Sequence, residues 1–216
     1  MLNIDAQGMV SGNSKIKARR FSSIERSEMN KVSGIIVHQT GSPTENSTFN
    51  SYRSANANGA HFLIGKEGSI YQTASILRRT NHVGPLKARC LAELRCSPAE
   101  IAQYKKASPT TMHKAEMTKV VPGRYPSNAD SIGIEIVGMA SLPPGIKMPA
   151  GLSTEQQRAF LGNNAVYEAL TNHQQVALQY LIDALSETLH ISKAEVHRHP
   201  EVSRKNATEA ATATWQ

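Results

Sequence analysis

The sequence predicts an α/β fold, and three observations predict it. Gly34-Ile35-Ile36-Val37 and Ile132-Gly133-Ile134-Glu135-Ile136-Val137 are strand-length apolar runs without polar alternation, as in buried strands. Ala60–Ile64 and Ser69–Gln72 flank Gly65-Lys66-Glu67-Gly68, a hairpin turn whose glycines permit positive φ. Leu178, Leu181, Ile182, Leu185 and Leu189 recur at helical spacing behind the capping box Thr171-Asn172-His173-Gln174.

In chain order, residues 1–30 are polar and unpatterned and read as a loose lead-in, with one domain following over 31–216. Val32–Thr40 reads as a buried strand ending in Val37-His38-Gln39-Thr40. Between Pro43 and Asn58 a short helix would place Phe49 and Tyr52 on one face. The hairpin follows. Ser97-Pro98-Ala99-Glu100 combines an N-cap, a first-turn proline and a capping-box acid, so a helix should run to about Ala107. Residues 108–130 carry Pro109, Pro122, Gly123 and Pro126 and read as a long loop. Ser131–Gly138 is the central strand, 139–152 another loop, and the amphipathic helix ends near His190. Beyond Ile191 the chain is polar and reads as irregular.

A net charge of +7 favours an acidic partner, nucleic acid or an anionic cell wall, or marks a basic surface with no partner. No Lys/Arg run carries interleaved aromatics, and aromatics are only 5%, so no nucleic-acid partner is expected. No apolar run approaches a bilayer span, and no membrane insertion is expected. Met1-Leu2-Asn3-Ile4-Asp5 shows no secretory signal. Cys90 and Cys96 fit either a small disulfide loop or two buried thiols.

Three places hold polar groups that packing alone would not put there. His38 ends an apolar strand and reads as a ligand or a structural histidine. Glu135 is a carboxylate inside a core strand, costly unless paired or used. His197-Arg198-His199-Pro200-Glu201 to Lys205 is a charge-rich stretch that alone would read as solvated. Two distant imidazoles can hold Zn²⁺ with a position open for water, beside a carboxylate base and a lysine for the developing oxyanion.

Ordered motifs add weight to that combination. They are Ile35–Thr40, Gly59–Gln72, Asn81-His82-Val83-Gly84, Ser131–Gly138, Thr171–Gln175 and Val196–Lys205. In this order they resemble the N-acetylmuramoyl-L-alanine amidase family, which includes phage amidase lysozymes, muropeptide-recycling amidases and peptidoglycan recognition proteins. The resemblance covers roughly residues 32–215, with an insertion around 86–130. It implies a mixed central β-sheet flanked by helices, with a groove at the strand ends. The implied activity is zinc-dependent hydrolysis of the amide between N-acetylmuramic acid and L-alanine in peptidoglycan. It gives His38 and His199 as zinc ligands, with His197 the alternative to the latter. Glu135 becomes the general base and Lys205 the stabiliser of the tetrahedral intermediate. His82, Thr40 and Tyr71 are expected to contact substrate, and His61 to be structural.

Two departures matter. The family's third ligand stands two residues after the lysine, where this chain has Ala207; Glu209 is the expected replacement. Without a replacement the fold would serve as a non-catalytic peptidoglycan-binding module. A tyrosine found before the His-Phe pair in some phage members is here Ala60. The cysteines, the charge and the 86–130 loops favour action at the cell wall, in the periplasm, as an endolysin or an effector delivered by a secretion system. Secretion machinery and an immunity protein would then be partners.

Overall fold

The computed structural model describes residues 1–216. Its strands are β1 (Asn3–Ile4), β2 (Val10–Ser11), β3 (Ile16–Ala18), β4 (Glu25–Glu28), β5 (Gly34–Gly41), β6 (Phe62–Ile64), β7 (Ile70–Gln72), β8 (Arg78–Thr80), β9 (Ser131–Ser141), β10 (Val166–Tyr167) and β11 (Val196–Arg198). Its helices are α1 (Glu45–Tyr52), α2 (Arg89–Ala92), α3 (Pro98–Lys105), α4 (Pro109–Glu116), α5 (Thr154–Asn164), α6 (Asn172–Leu189) and α7 (His199–Val202). A seven-stranded mixed sheet runs β11-β5-β9-β6-β7-β3, with β10 on β9. β9 lies parallel to both β5 and β6, and only the β6–β7 hairpin and β10 bring in antiparallel pairs. The α/β fold with a mixed, helix-flanked sheet is the architecture expected.

Alternation along the strands divides the sheet into two faces. Ile35, Val37, Ile132, Ile134, Ile136, Phe62 and Ile64 form the main core with Leu178, Leu181, Ile182 and Leu185 of α6. That helix is fixed at its start by the capping box: Thr171 Oγ1 accepts from Gln174 N–H at 3.1 Å. Gln174 Nε2 then donates to Val137 O of β9 at 2.6 Å. Thr171 Oγ1 also donates to Lys66 O at the hairpin tip, where Gly68 takes φ +76°. The helix ends with His190 in the left-handed region, φ 55°.

On the opposite face, α1 packs Phe49 against Leu63 and Val137. Thr44 caps α1, its side chain accepting from Ser47 N–H. Next to it Ile36, Val83, Leu86, Tyr125 and Val202 form a smaller cluster. Between these two packed regions the face is left open.

Several readings of the chain's margins need correction. Residues 1–30 are not loose: β3 pairs in parallel with β7, and Leu2, Met9, Val10, Ile16, Ile24 and Met29 are buried. Buried Gln72 ties this segment down, accepting from Val10 N–H and donating to Gly8 O. The loop expected over 108–130 contains α4, capped by Ser108. The tail beyond Ile191 is ordered as β11 and α7, and Ala210 and Ala213 pack into the main core. Cys90 and Cys96 are joined as a disulfide closing α2 onto the start of α3. No helix is long and apolar enough to cross a membrane.

Candidate active site

Strand register puts the first two polar residues side by side. β5 and β9 align His38 with Glu135, and β9 and β6 align Glu135 with Leu63, all on one face. β11 joins the free edge of β5, so α7, which follows it directly, brings His199 alongside His38. His38 Nδ1 lies 2.8 Å from His199 Nδ1, and His199 Nδ1 lies 2.9 Å from Glu209 Oε1. His38 Nδ1 is 3.5 Å from the same Glu209 oxygen. All three side chains are buried.

Glu209 reaches this cluster through a turn. Asn206 Oδ1 accepts from Thr208 N–H at 2.9 Å, and Asn206 Nδ2 donates to Ala165 O at 2.6 Å. Ala210 adopts φ 53°, and its N–H donates to Gln39 Oε1 at 3.2 Å. Gln39 in turn donates to Glu168 O and lies across Gly138, where any Cβ would collide with its amide. This turn points Glu209 inward while Ala207 stays exposed.

The site opens into a cleft of about 410 Å³ lined by His38, Thr40, Tyr52, His82, Glu135, Tyr167, His199, Lys205 and Glu209 among others. Burial, reinforced by the neighbouring Glu209 charge, pushes Glu135 up to about 8, with Lys205 opposing. Its Oε2 has no hydrogen-bond partner. Burial, then the His199 charge, takes His38 down to about 4, so it is neutral with a lone pair to give. Burial would raise Glu209, but its hydrogen bonds to His199 and His38 outweigh this and hold it down at about 2.

Two imidazole nitrogens and a carboxylate oxygen form a donor set that suits zinc. At zinc–ligand bonds of about 2.0–2.1 Å a tetrahedral site separates its donors by about 3.3 Å, close to the observed spacings. The residues present fit a zinc ion.

The other expected site residues fall as follows. Lys205 is exposed and lines the cleft. Thr40 lines it too, its hydroxyl accepting from Ser42 N–H and Gly138 N–H. His82 lines it and touches His38, Nδ1 to Nε2 at 2.9 Å. Tyr71 is not brought to the cleft. It lies on the same sheet face, opposite Leu63, but its ring packs edge-on against Phe49 of α1 at 5.2 Å. His197 lies outside the cluster, 3.3 Å from Glu195 Oε2 and against the Tyr125 ring. His61 is fully buried, accepting from Gly133 N–H and donating to Arg78 O. Two phenols were missed. Tyr52 carried only the signal of a helix face, and Tyr167 sits on a two-residue strand with no sequence signal.

A family model described as N-acetylmuramoyl-L-alanine amidase matches residues 28–213. No curated protein sequence matches. Among solved structures, a selenomethionine AmpD derivative is 16% identical with a TM-score of 0.50, over 94% of this chain and 89% of that one. N-acetylmuramoyl-L-alanine amidase LysC from Clostridium intestinale URNW is 18% identical, TM-score 0.45, over 89% of this chain and 87% of that one. AmpDh3 from Pseudomonas aeruginosa, in complex with anhydromuramic pentapeptide, is 16% identical, TM-score 0.48, over 94% and 58% respectively. The AmpD likeness is one of fold.

Proposed function

The chain belongs to the N-acetylmuramoyl-L-alanine amidase family, and on that premise we propose that it hydrolyses the muramoyl–L-alanine amide of peptidoglycan with zinc held by His38, His199 and Glu209. The observation that carries the reading is the convergence of His38 Nδ1, His199 Nδ1 and Glu209 Oε1 beside Glu135 in one open cleft.

A bound zinc ion would polarise the scissile carbonyl and lower the pKa of a water molecule. Glu135, the register partner of His38 on the neighbouring strand, offers an unpartnered Oε2 to take the proton from that water and return it to the leaving amine. In the metal-free chain, burial raises its pKa above the ordinary carboxylate value, the direction that helps it keep the proton it takes and hand it on. Lys205 at the cleft supplies positive charge for the oxygen that becomes negative in the transition state. Thr40, through the backbone groups its hydroxyl binds, shapes the wall on which substrate would rest.

The proposal extends to where the enzyme acts. A disulfide persists in oxidising compartments, and a net charge of +7 suits an anionic wall. Both support an endolysin or delivered effector over a cytosolic recycling enzyme. Digestion of intact sacculi, compared with soluble anhydro-muropeptides, tests this; activity on the soluble substrate alone would overturn it.

The direct test is zinc content and stem-peptide release from purified sacculi, for wild type and His38→Ala. About one zinc per chain, with release lost in the variant, is expected. No zinc and no release, with sacculus binding retained, would make the protein a recognition module.

A further inference from the structure

His82 has work to do that lining a cleft does not explain. Its ring stands edge-on to His38 at 5.1 Å between centroids, and its seat is constructed from several sides. Asn128 Oδ1 accepts from both His82 N–H and Val83 N–H, at 2.9 and 2.7 Å, while Asn128 Nδ2 donates to Val83 O at 2.8 Å. Beneath the ring lies Gly133, where a Cβ would stand 2.8 Å from His82 Nδ1. A glycine inside the apolar run Ile132-Gly133-Ile134 weakens a strand unless something must approach it closely, and here the imidazole does.

The hydrogen bonds behind this ring have a determined direction. Ser131 Oγ lies 2.6 Å from Ser127 O, and a carbonyl can only accept, so the single hydroxyl proton goes there. Ser131 Oγ is then an acceptor for His82 Nε2 at 3.2 Å, which puts the His82 proton on Nε2. The bare Nδ1 of a neutral His82 must accept from His38 Nε2–H at 2.9 Å. His38 is thereby left with its lone pair on Nδ1, the atom that faces His199 and Glu209. His199 has no such support, since its Nε2 is buried without a partner. His61 takes no part, both its nitrogens being used by Gly133 N–H and Arg78 O.

We propose that His82 is a positioning residue: the relay Ser127 O–Ser131–His82 fixes the tautomer and ring orientation of His38, preparing its Nδ1 as a metal ligand, and Gly133 is required to admit the His82 ring. The zinc part of this inference rests on the metal reading above. The tautomer part does not.

The experiment compares His82→Asn, His82→Phe and Ser131→Ala with wild type in metal-stripped protein. An Asn carbonyl can replace the Nδ1 acceptor, whereas Phe keeps the ring and removes it. Zinc affinity by competition with a chromophoric chelator should fall about 10–100-fold in His82→Phe and remain within a few-fold in His82→Asn. Ser131→Ala should show a smaller loss in the same direction. Imidazole ¹⁵N shifts of His38 without metal should report the Nε2–H form in wild type and His82→Asn, and a tautomer mixture in His82→Phe and Ser131→Ala. Should His82→Phe fail to fold, the Ser131→Ala and His82→Asn pair carries the test. Equal effects of Asn and Phe, or an unchanged His38 tautomer in Ser131→Ala, would overturn the relay. A wild type that binds no zinc yet holds the Nε2–H tautomer would sink the metal reading and leave the relay standing.

Discussion

On one face of the central sheet, Ile35, Val37, Ile132, Ile134 and Ile136 meet the leucines of α6 in the largest apolar cluster of the molecule. On the other face, the residues one step along the same strands are His38, Gly133 and Glu135, and no helix covers them. A strand must present both faces wherever it lies, so the second could have been closed as well. It is closed at either side, by Phe49 of α1 and by the Val83–Leu86–Tyr125–Val202 cluster, and open only between them. The gap leaves a half-buried carboxyl, three imidazoles in contact and one buried acid whose costs the apolar face must offset. Stability and chemistry are thus divided between two faces of the same strands.

If that division holds, substitutions on the two faces should separate cleanly. The largest effect expected is on Glu135→Gln, where removing the proton acceptor should lower peptide release by about 10³-fold, roughly 4 kcal/mol of barrier, with zinc content unchanged. Turnover within tenfold of wild type would rule Glu135 out as the base. Leu178→Ala, fully buried on the α6 face, should cost about 3 kcal/mol in chemical denaturation while each folded molecule keeps its activity. A loss of turnover per folded molecule there would show that the faces are coupled. Lys205→Ala should reduce release by about 100-fold. Being exposed, it should change unfolding free energy by less than about 0.5 kcal/mol.

The same division explains what could be read in advance. β5, β9 and α6 are long and their patterns uniform, so periodicity alone located them. His38 and Glu135 were visible as polar interruptions of apolar strands. Most of the elements missed are short: β3 is three residues, β11 three and α7 four, too few for any periodicity to emerge. The first thirty residues are held by Gln72 and by pairing with β7, contacts to residues distant in sequence that no local pattern carries. α5 buries no residue, so it has no apolar stripe to detect. Glu209 was reachable only as the nearest carboxylate after a missing ligand; the Asn206 turn and the Gln39 clamp that bring it inward depend on tertiary contacts. Register puts Tyr71 on the cleft face, but its ring packs against Phe49 of α1 instead of lining the cleft, a tertiary contact that no local pattern carries.

The smallest effect sharpens the comparison most, because it measures what the open face costs. Glu135 is held at about 8 against an ordinary value of 4.5, so between these limits the folded chain carries a proton that the unfolded chain has released. Stability of the metal-free protein should therefore fall as pH rises from about 4.5 through 8. Glutamine, neutral throughout, has no such slope. Chelator-treated Glu135→Gln should match wild type near pH 4 and exceed it by on the order of 1–2 kcal/mol near pH 8.5, the figure reduced because Glu135 is only partly buried. Glu209 acts in the other direction and in another window. Its depressed value, about 2, gives stability that is present above 4.5 and lost as pH falls toward 2. The two acids can be told apart by pH alone. A difference between Glu135→Gln and wild type that stays constant from pH 4 to 9 would mean that the cleft does not raise this carboxyl. The open face would then impose no cost through Glu135 for the α6 core to offset.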